Sequence, residues 1–346
     1  MITKENMKKG LMFGILVGLA WGLDGVLLGK VQEVFTSSSF LSTYETLGIS
    51  TKSVEYAPLV TGFFHESFAF FWIAIYLAFN KQLKHMFYLL FKTKKGKAIA
   101  IAALVGSPIG MGAYLLGIKY ASAPYAASIS VIYPGVGAIL AYLILKEKLN
   151  KRAIVGIAVS LFGSIMLGLK PGDVPETFML GVAFSLVAVL GWALEGVIVG
   201  FAMKHIKDED HVQATPQQFL GLRYFIAMLS YGLFILPMID GFGLAGYVIS
   251  SGMVFKIALI ATLGAITYLS WYKAVDLIGA AMGTALNSTA AFWSIVFTAI
   301  LFGQFDPSVA IWCVVIVIGV FIFAIDPAMF KKDKKVEEST DEIVNN

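Results

Sequence analysis

The chain has 346 residues, of which 58% are hydrophobic and 14% charged, with a mean hydropathy of +0.80 and a net charge of +4. Soluble globular domains sit near about 45–50% apolar, so this composition excludes one and leaves a polytopic membrane protein. The useful count is then how many runs of about 20 apolar residues fit a ~30 Å hydrocarbon core.

Ten such runs are predicted. The first covers 10–30 and follows the basic start MITKENMKKG. Asp24 within it and the lack of an A-x-A-like site read as a retained first span rather than a cleaved signal. Gly14, Gly18, Gly22, Gly25 and Gly29 form one helical stripe, and Val17, Trp21, Asp24 and Leu28 form the adjacent face. The glycine stripe admits a close neighbour, which turns the Trp-Asp face toward the bundle. Residues 31–57 are read as an outside connector, short surface helix or lid.

The second span, 58–79, carries His65 and Glu66. The basic stretch 81–97 has an apolar centre and is expected along the inner interface. Spans three (98–119) and four (122–145) contain GSPIGMG and YPGVG, where proline between glycines reads as an interrupted helix or as a kink. The remaining spans are 152–169, 178–203, 217–238, 253–273, 279–302 and 307–325, followed by a charged tail, 331–346, expected to be disordered.

The chain repeats itself. AWGLDGVLLG (20–29) and GWALEGVIVG (191–200) share five of ten positions, with Glu195 at the place of Asp24. Pro58 and His65 recur as Pro216 and Arg223, and Tyr114-Leu115 with Lys119 recurs as Tyr268-Leu269 with Lys273. The reading is an all-α fold of ten transmembrane helices in two five-helix repeats, 1–170 and 171–330. An odd number per repeat inverts the second copy, as in many secondary transporters. With the N-terminus inside, 21 of the 26 Lys and Arg lie on the inner side, so both termini are expected in the cytoplasm and the chain in the plasma (inner) membrane.

An intramembrane acid costs roughly 2.5–3.5 kcal/mol on insertion scales, which marks Asp24, Glu66 and Glu195 as functional candidates. Arg223 is the one comparably placed permanent cation, with His65 neutral or charged. The excess of acid favours a cationic substrate. Trp21 and Trp192 each precede their acid by three residues, and Tyr133, Tyr268, Trp271, Tyr272 and Trp293 add aromatic faces in other spans. Carboxylate and ring faces together suit a quaternary ammonium, which donates no hydrogen bonds and is held by cation–π attraction. Asn287 is a candidate polar lining residue. Each aromatic is also readable as packing, Glu66 as a structural partner of His65 or Arg223, and Asp24, Glu66 or Glu195 as a proton carrier. No protease, hydrolase, phosphate-binding or metal-ligand motif is present, no cofactor is implied, and Cys313, the one cysteine, has no disulfide partner. The basic stretches lack an aromatic-rich nucleic-acid module, so no nucleic-acid partner is expected.

The run YASAPYAASISVIYPGVGAILAYLILKEKLNKRAIVGIAVSLFGSIML (120–167), within ten spans in two halves, resembles the EamA-type drug/metabolite transporter (DMT) superfamily. GSPIGM, IKYASA, SISVIYP, WALEGV with FAM, and TALNSTAAFW resemble most the bacterial choline transporters that serve phosphocholine decoration of the cell surface. The resemblance implies import of choline or a related quaternary ammonium by alternating access. It places Glu195, Trp192, Trp21 and the aromatics of TYLSWY (267–272) at the site. Asp24 and the length of the 31–57 segment depart from that group's pattern. A proton-coupled exporter of amino acids, drugs or other metabolites is the alternative within the superfamily.

Overall fold

The computed structural model describes residues 4–146, 151–168, 176–206, 214–278, 283 and 286–324. Among them the regular structure is entirely helical. The first helix, α1 (Lys4–Val34), has 31 residues and rises roughly 46 Å, more than enough to cross a bilayer. The segment that follows is ordered, not an open connector. Two short helices, α2 (Ser38–Leu41) and α3 (Thr51–Glu55), start at Ser37 and Ser50, whose hydroxyls accept the Phe40 and Ser53 backbone N–H groups. Phe35, Phe40 and Ile49 are buried, and Phe40 meets the Tyr247 ring at 5.2 Å. Burial of these apolar side chains holds the segment down on the bundle.

After α4 (Ala57–Phe79), the basic stretch folds as α5 (Leu83–Lys92), and α6 (Lys94–Leu104) begins four residues before the predicted third span. Met86, Leu89 and Leu90 of α5 are buried, so protein covers part of its apolar face. The GSPIGMG motif does not break its span. It forms a π-helical turn, Val105–Met111, that leads directly into α7 (Gly112–Ala121). Pro108 supplies no N–H and crowds the preceding turn, and widening that turn absorbs both defects. The fourth span is interrupted: α8 (Ala123–Ser130) ends at a turn, and Pro134 opens α9 (Tyr133–Leu145).

Next come α10 (Lys151–Gly168), α11 (Phe178–His205) and α12 (Pro216–Ser230), the last started by a reciprocal Thr215–Gln218 capping box. A second π turn, Tyr231–Ile235, joins α12 to α13 (Leu236–Met238). Then follow α14 (Phe242–Ser250), α15 (Met253–Ile278), α16 (Ala290–Phe302) and α17 (Pro307–Ala324). Among the described residues, seven helical stretches are long and apolar enough to span a membrane: α1, α4, α6 to α7, α8 to α9, α11, α12 to α13, and α15. The chain is thus a multi-pass membrane protein. The other three predicted crossings meet α10, α16 and α17, of 18, 13 and 18 residues. Parts of those runs, 169, 279–282, 284–285 and 325, lie outside the described residues, as does the tail 331–346.

Packing uses the glycine stripe at both ends. A Cβ on Gly14 would strike Leu286, and one on Gly18 or Gly22 would meet Thr289, Trp293 or the backbone of Ala290 within 3 Å. Gly25 and Gly29 turn instead toward Tyr114 and Ile118 of α7. The helix α1 therefore lies against α15 and α16 on one side and against α7 on the other. In the second part of the chain α11 lies against α6, the π turn and α7, and against α8 and α9. The helices α4 and α12 pair, and so do α10 and α17.

Candidate functional site

Four helices bring the intramembrane charges together. His65 Nε2 on α4 lies 3.0 Å from Asp24 Oδ1 on α1, with both side chains at most 4% exposed. Arg223 on α12 donates from Nε to Glu195 Oε1 on α11 at 2.9 Å. Its Nη1 donates to Glu66 Oε2 on α4 at 3.3 Å. Glu66 joins the two pairs, since its other oxygen is 3.9 Å from His65 Nδ1. Ser107 in the π turn donates to Glu66 Oε2 at 2.8 Å and fixes that carboxylate. Glu195 is the most accessible of the three acids, its side chain 15% exposed against 2% for Glu66.

Small residues make this convergence possible. A Cβ on Gly106 would sit 1.8 Å from Glu195 Oε2, so the carboxylate rests on bare π-turn backbone. A Cβ on Gly264 would sit 3.1 Å from the His65 ring, and one on Gly110 would touch the Trp192 indole. Burying charge costs several kcal/mol per ion, and removing one partner of a buried pair costs about 3–5 kcal/mol. Three acids opposed by one arginine and one histidine make an expensive assembly, retained beside a group of rings.

Those rings are Trp21, Tyr114, Tyr133 and Trp192. The Trp192 ring lies 5.6 Å from Trp21, 5.3 Å from Tyr114 and 5.9 Å from Tyr133. The Asn287 amide donates to the Tyr133 hydroxyl at 3.3 Å. Among the described residues, two buried polar atoms here have no hydrogen-bond partner: Trp192 Nε1, a donor, and Asn287 Oδ1, an acceptor. A cavity of about 750 Å³ opens at the C-terminal end of α1, lined by Val26, Ile118, Tyr125 and Phe302 among others. Val26 and Ile118 lie about one turn beyond Trp21 and Tyr114, and none of Asp24, Glu66 and Glu195 lines the cavity. Its lysines are engaged: Lys30 pairs with Glu33 at 2.6 Å and lies over Phe302, and Lys119 donates to the Glu55 carbonyl.

Residues 8–169 match the model of the EamA-like transporter family. Protein LicB of Haemophilus influenzae is 27% identical over 300 residues, covering 86% of this chain and 90% of its own length. An uncharacterized transporter of Clostridium kluyveri is 31% identical over 105 residues, covering 29% of this chain and 33% of its own. A protein crystal structure aligns at a TM-score of 0.50 and 15% identity, covering 88% of this chain and 95% of that one, a likeness of fold alone. The match to the EamA-like transporter family over 8–169 points to a transporter rather than an enzyme.

The EamA-like bundle sorts the predicted site residues. Asp24, His65, Glu66, Glu195 and Arg223 form one network. Trp21, Trp192, Tyr133 and Asn287 form the adjoining aromatic group. Tyr268 is not in that group: the Arg223 guanidinium lies over its ring at 5.0 Å and over Tyr224 at 5.4 Å. Trp293 packs on Gly18 and Gly22 of α1 and on Phe297, away from the acids. Trp271 is half-buried three residues along α15 from Tyr268, and the Tyr272 side chain lies outside the described residues. Sequence reading missed Ser107, Tyr114 and Gly106. Tyr114 carried a signal, since it is the repeat counterpart of Tyr268.

Proposed function

We propose that this chain is a secondary transporter that imports a small organic cation, choline or a related quaternary ammonium, by alternating access of its two halves, 1–170 and 171–330. The observation that carries the reading is the accessible Glu195 carboxylate beside the Trp21–Trp192–Tyr133 group, in a network where acids outnumber bases. Carboxylate and ring faces attract a cation that offers no N–H, and each desolvated ring contact is worth up to about 2 kcal/mol. The unpartnered Trp192 Nε1 and Asn287 Oδ1 match the one hydroxyl of choline, as acceptor and as donor respectively. At the cavity the Glu33 carboxylate offsets the charge of Lys30.

The packing supports ten crossings in two inverted repeats. The most extensive α1 contacts have counterparts at α11: α15 and α16 for the former, α6 to α7 and α8 to α9 for the latter. The pairs α4–α12 and α10–α17 map onto themselves under the same exchange. Inverted repeats place the substrate between the halves near the midplane, where the acids meet. Inward movement of one positive charge gains about 2.3 kcal/mol per 100 mV of inside-negative potential, so uniport suffices for accumulation.

A second reading, proton-coupled export, is favoured by the Asp24–His65 contact at 3.0 Å. Equilibrium binding of choline to the purified protein tests the first. Saturable binding, competed by tetramethylammonium and lost in Glu195→Gln, is expected. Folded protein that binds no choline would contradict the substrate assignment.

A further inference from the structure

Glu195 is assigned to the substrate, yet the protein's own cation already holds it. Arg223 Nε is 2.9 Å from Glu195 Oε1, and its guanidinium lies over the Tyr268 and Tyr224 rings at 5.0 and 5.4 Å. A carboxylate with aromatic faces is the same chemistry that would hold an organic cation. Arg223 also has a second carboxylate within reach, Glu66 at 3.3 Å, and Ser107 fixes that oxygen from 2.8 Å. The two acids sit on different halves of the chain, Glu66 on α4 and Glu195 on α11.

We propose that Arg223 is a resident stand-in for the transported cation: it neutralises Glu195 while the site is empty, and an arriving organic cation takes Glu195 and leaves the guanidinium to Glu66. This inference rests on the substrate reading above. Two opposed requirements follow. The empty carrier must not cross the closed state with Glu195 buried and unpaired, and Arg223 meets that need. The loaded carrier must not keep two cations on one carboxylate, and Glu66 with Ser107 takes the displaced one. Handing Arg223 from the second half to the first also changes which half it ties α12 to. Substrate occupancy and the relative position of the halves are thereby linked through differential contacts.

The same competition lowers the apparent affinity of the wild type, because only the fraction of carriers with Glu195 released binds substrate. Removing the competitor and removing its refuge therefore act in opposite directions. In Arg223→Gln, choline binding to purified protein tightens by roughly tenfold, as expected when a competing state is abolished. Net uptake into proteoliposomes, which needs return of the empty carrier, falls at least about tenfold more than choline–choline exchange, which does not. In Glu66→Gln, Arg223 stays on Glu195 and choline binding weakens by roughly tenfold.

The measurements are choline binding by calorimetry for wild type, Arg223→Gln and Glu66→Gln, and the ratio of exchange to net uptake for wild type and Arg223→Gln. Shifts of opposite sign, with a raised exchange-to-uptake ratio, are expected. Weaker binding in both variants, or exchange and net uptake falling together, would overturn the stand-in role and show Arg223 to be structural. Should Arg223→Gln fail to fold, Glu66→Gln decides alone: unchanged or tighter binding overturns the proposal. A wild type that binds no choline overturns the substrate reading and this inference with it, whereas wild-type binding with shifts of one sign overturns this inference only.

Discussion

At the scale of single residues, the burden falls on side chains whose polar atoms meet in a buried place. Glu195→Gln keeps the volume and leaves Arg223 its contact with Glu66. Choline uptake is expected to fall by about tenfold or more, the effect of losing one charge interaction of ~1.4 kcal/mol, with little change in detergent melting temperature. Unchanged uptake would remove Glu195 from the site. Asn287→Ala deletes the acceptor Oδ1 beside Tyr133. It is expected to cost choline roughly fivefold in affinity, while an analogue without the hydroxyl binds as to wild type, since one hydrogen bond accounts for about 1 kcal/mol. Equal losses for both ligands would mean that Asn287 only supports Tyr133. The acids and the Trp-x-x-acid spacing were legible in the sequence because an intramembrane charge is costly wherever it falls. Which base each acid meets was not, because contacts such as Asp24–His65 span 41 residues.

Helices carry the next level of the account, and here small residues decide the geometry. Gly22 abuts the Ala290 carbonyl at 2.9 Å and Ser294 N at 3.0 Å from where a Cβ would stand. Backbone cannot yield as a flexible side chain does, so Gly22→Val is expected to destabilise the bundle by about 1–3 kcal/mol, read as a lower melting temperature. A neutral result would show that α1 and α16 separate easily. Gly106→Ala tests the π turn, because the new methyl would occupy the space of the Glu195 carboxylate. Loss of choline binding without loss of folded protein is expected, and retained binding would show that Glu195 has another rotamer available. The glycine stripe of α1 was visible as a period of three and four residues. The outcome at Pro108 was not, since the same Gly-Pro-Gly-like spelling is compatible with a broken helix or a widened one. GSPIGMG became a π turn, whereas YPGVG opens α9 just after the turn that ends α8. The 31–57 segment, readable as a short surface helix, hid its buried side, because Phe35, Phe40 and Ile49 become a core only when Tyr247 arrives from far along the chain.

For the whole molecule, seven long apolar helices among the described residues make a multi-pass membrane protein, and the match of residues 8–169 to the EamA-like transporter family points to a transporter. Asp24 pairs with His65 and Glu195 with Arg223, and Glu66 joins the two pairs. The likeness of AWGLDGVLLG and GWALEGVIVG already singled out Asp24 and Glu195 in the sequence. The measurement that bears most directly on cation import is uptake of labelled choline into proteoliposomes with and without an imposed inside-negative potential. Accumulation that grows with the potential and is competed by other quaternary ammonium compounds is the predicted result. Folded protein that accumulates no choline at any potential, or that expels it along a proton gradient, would contradict the account.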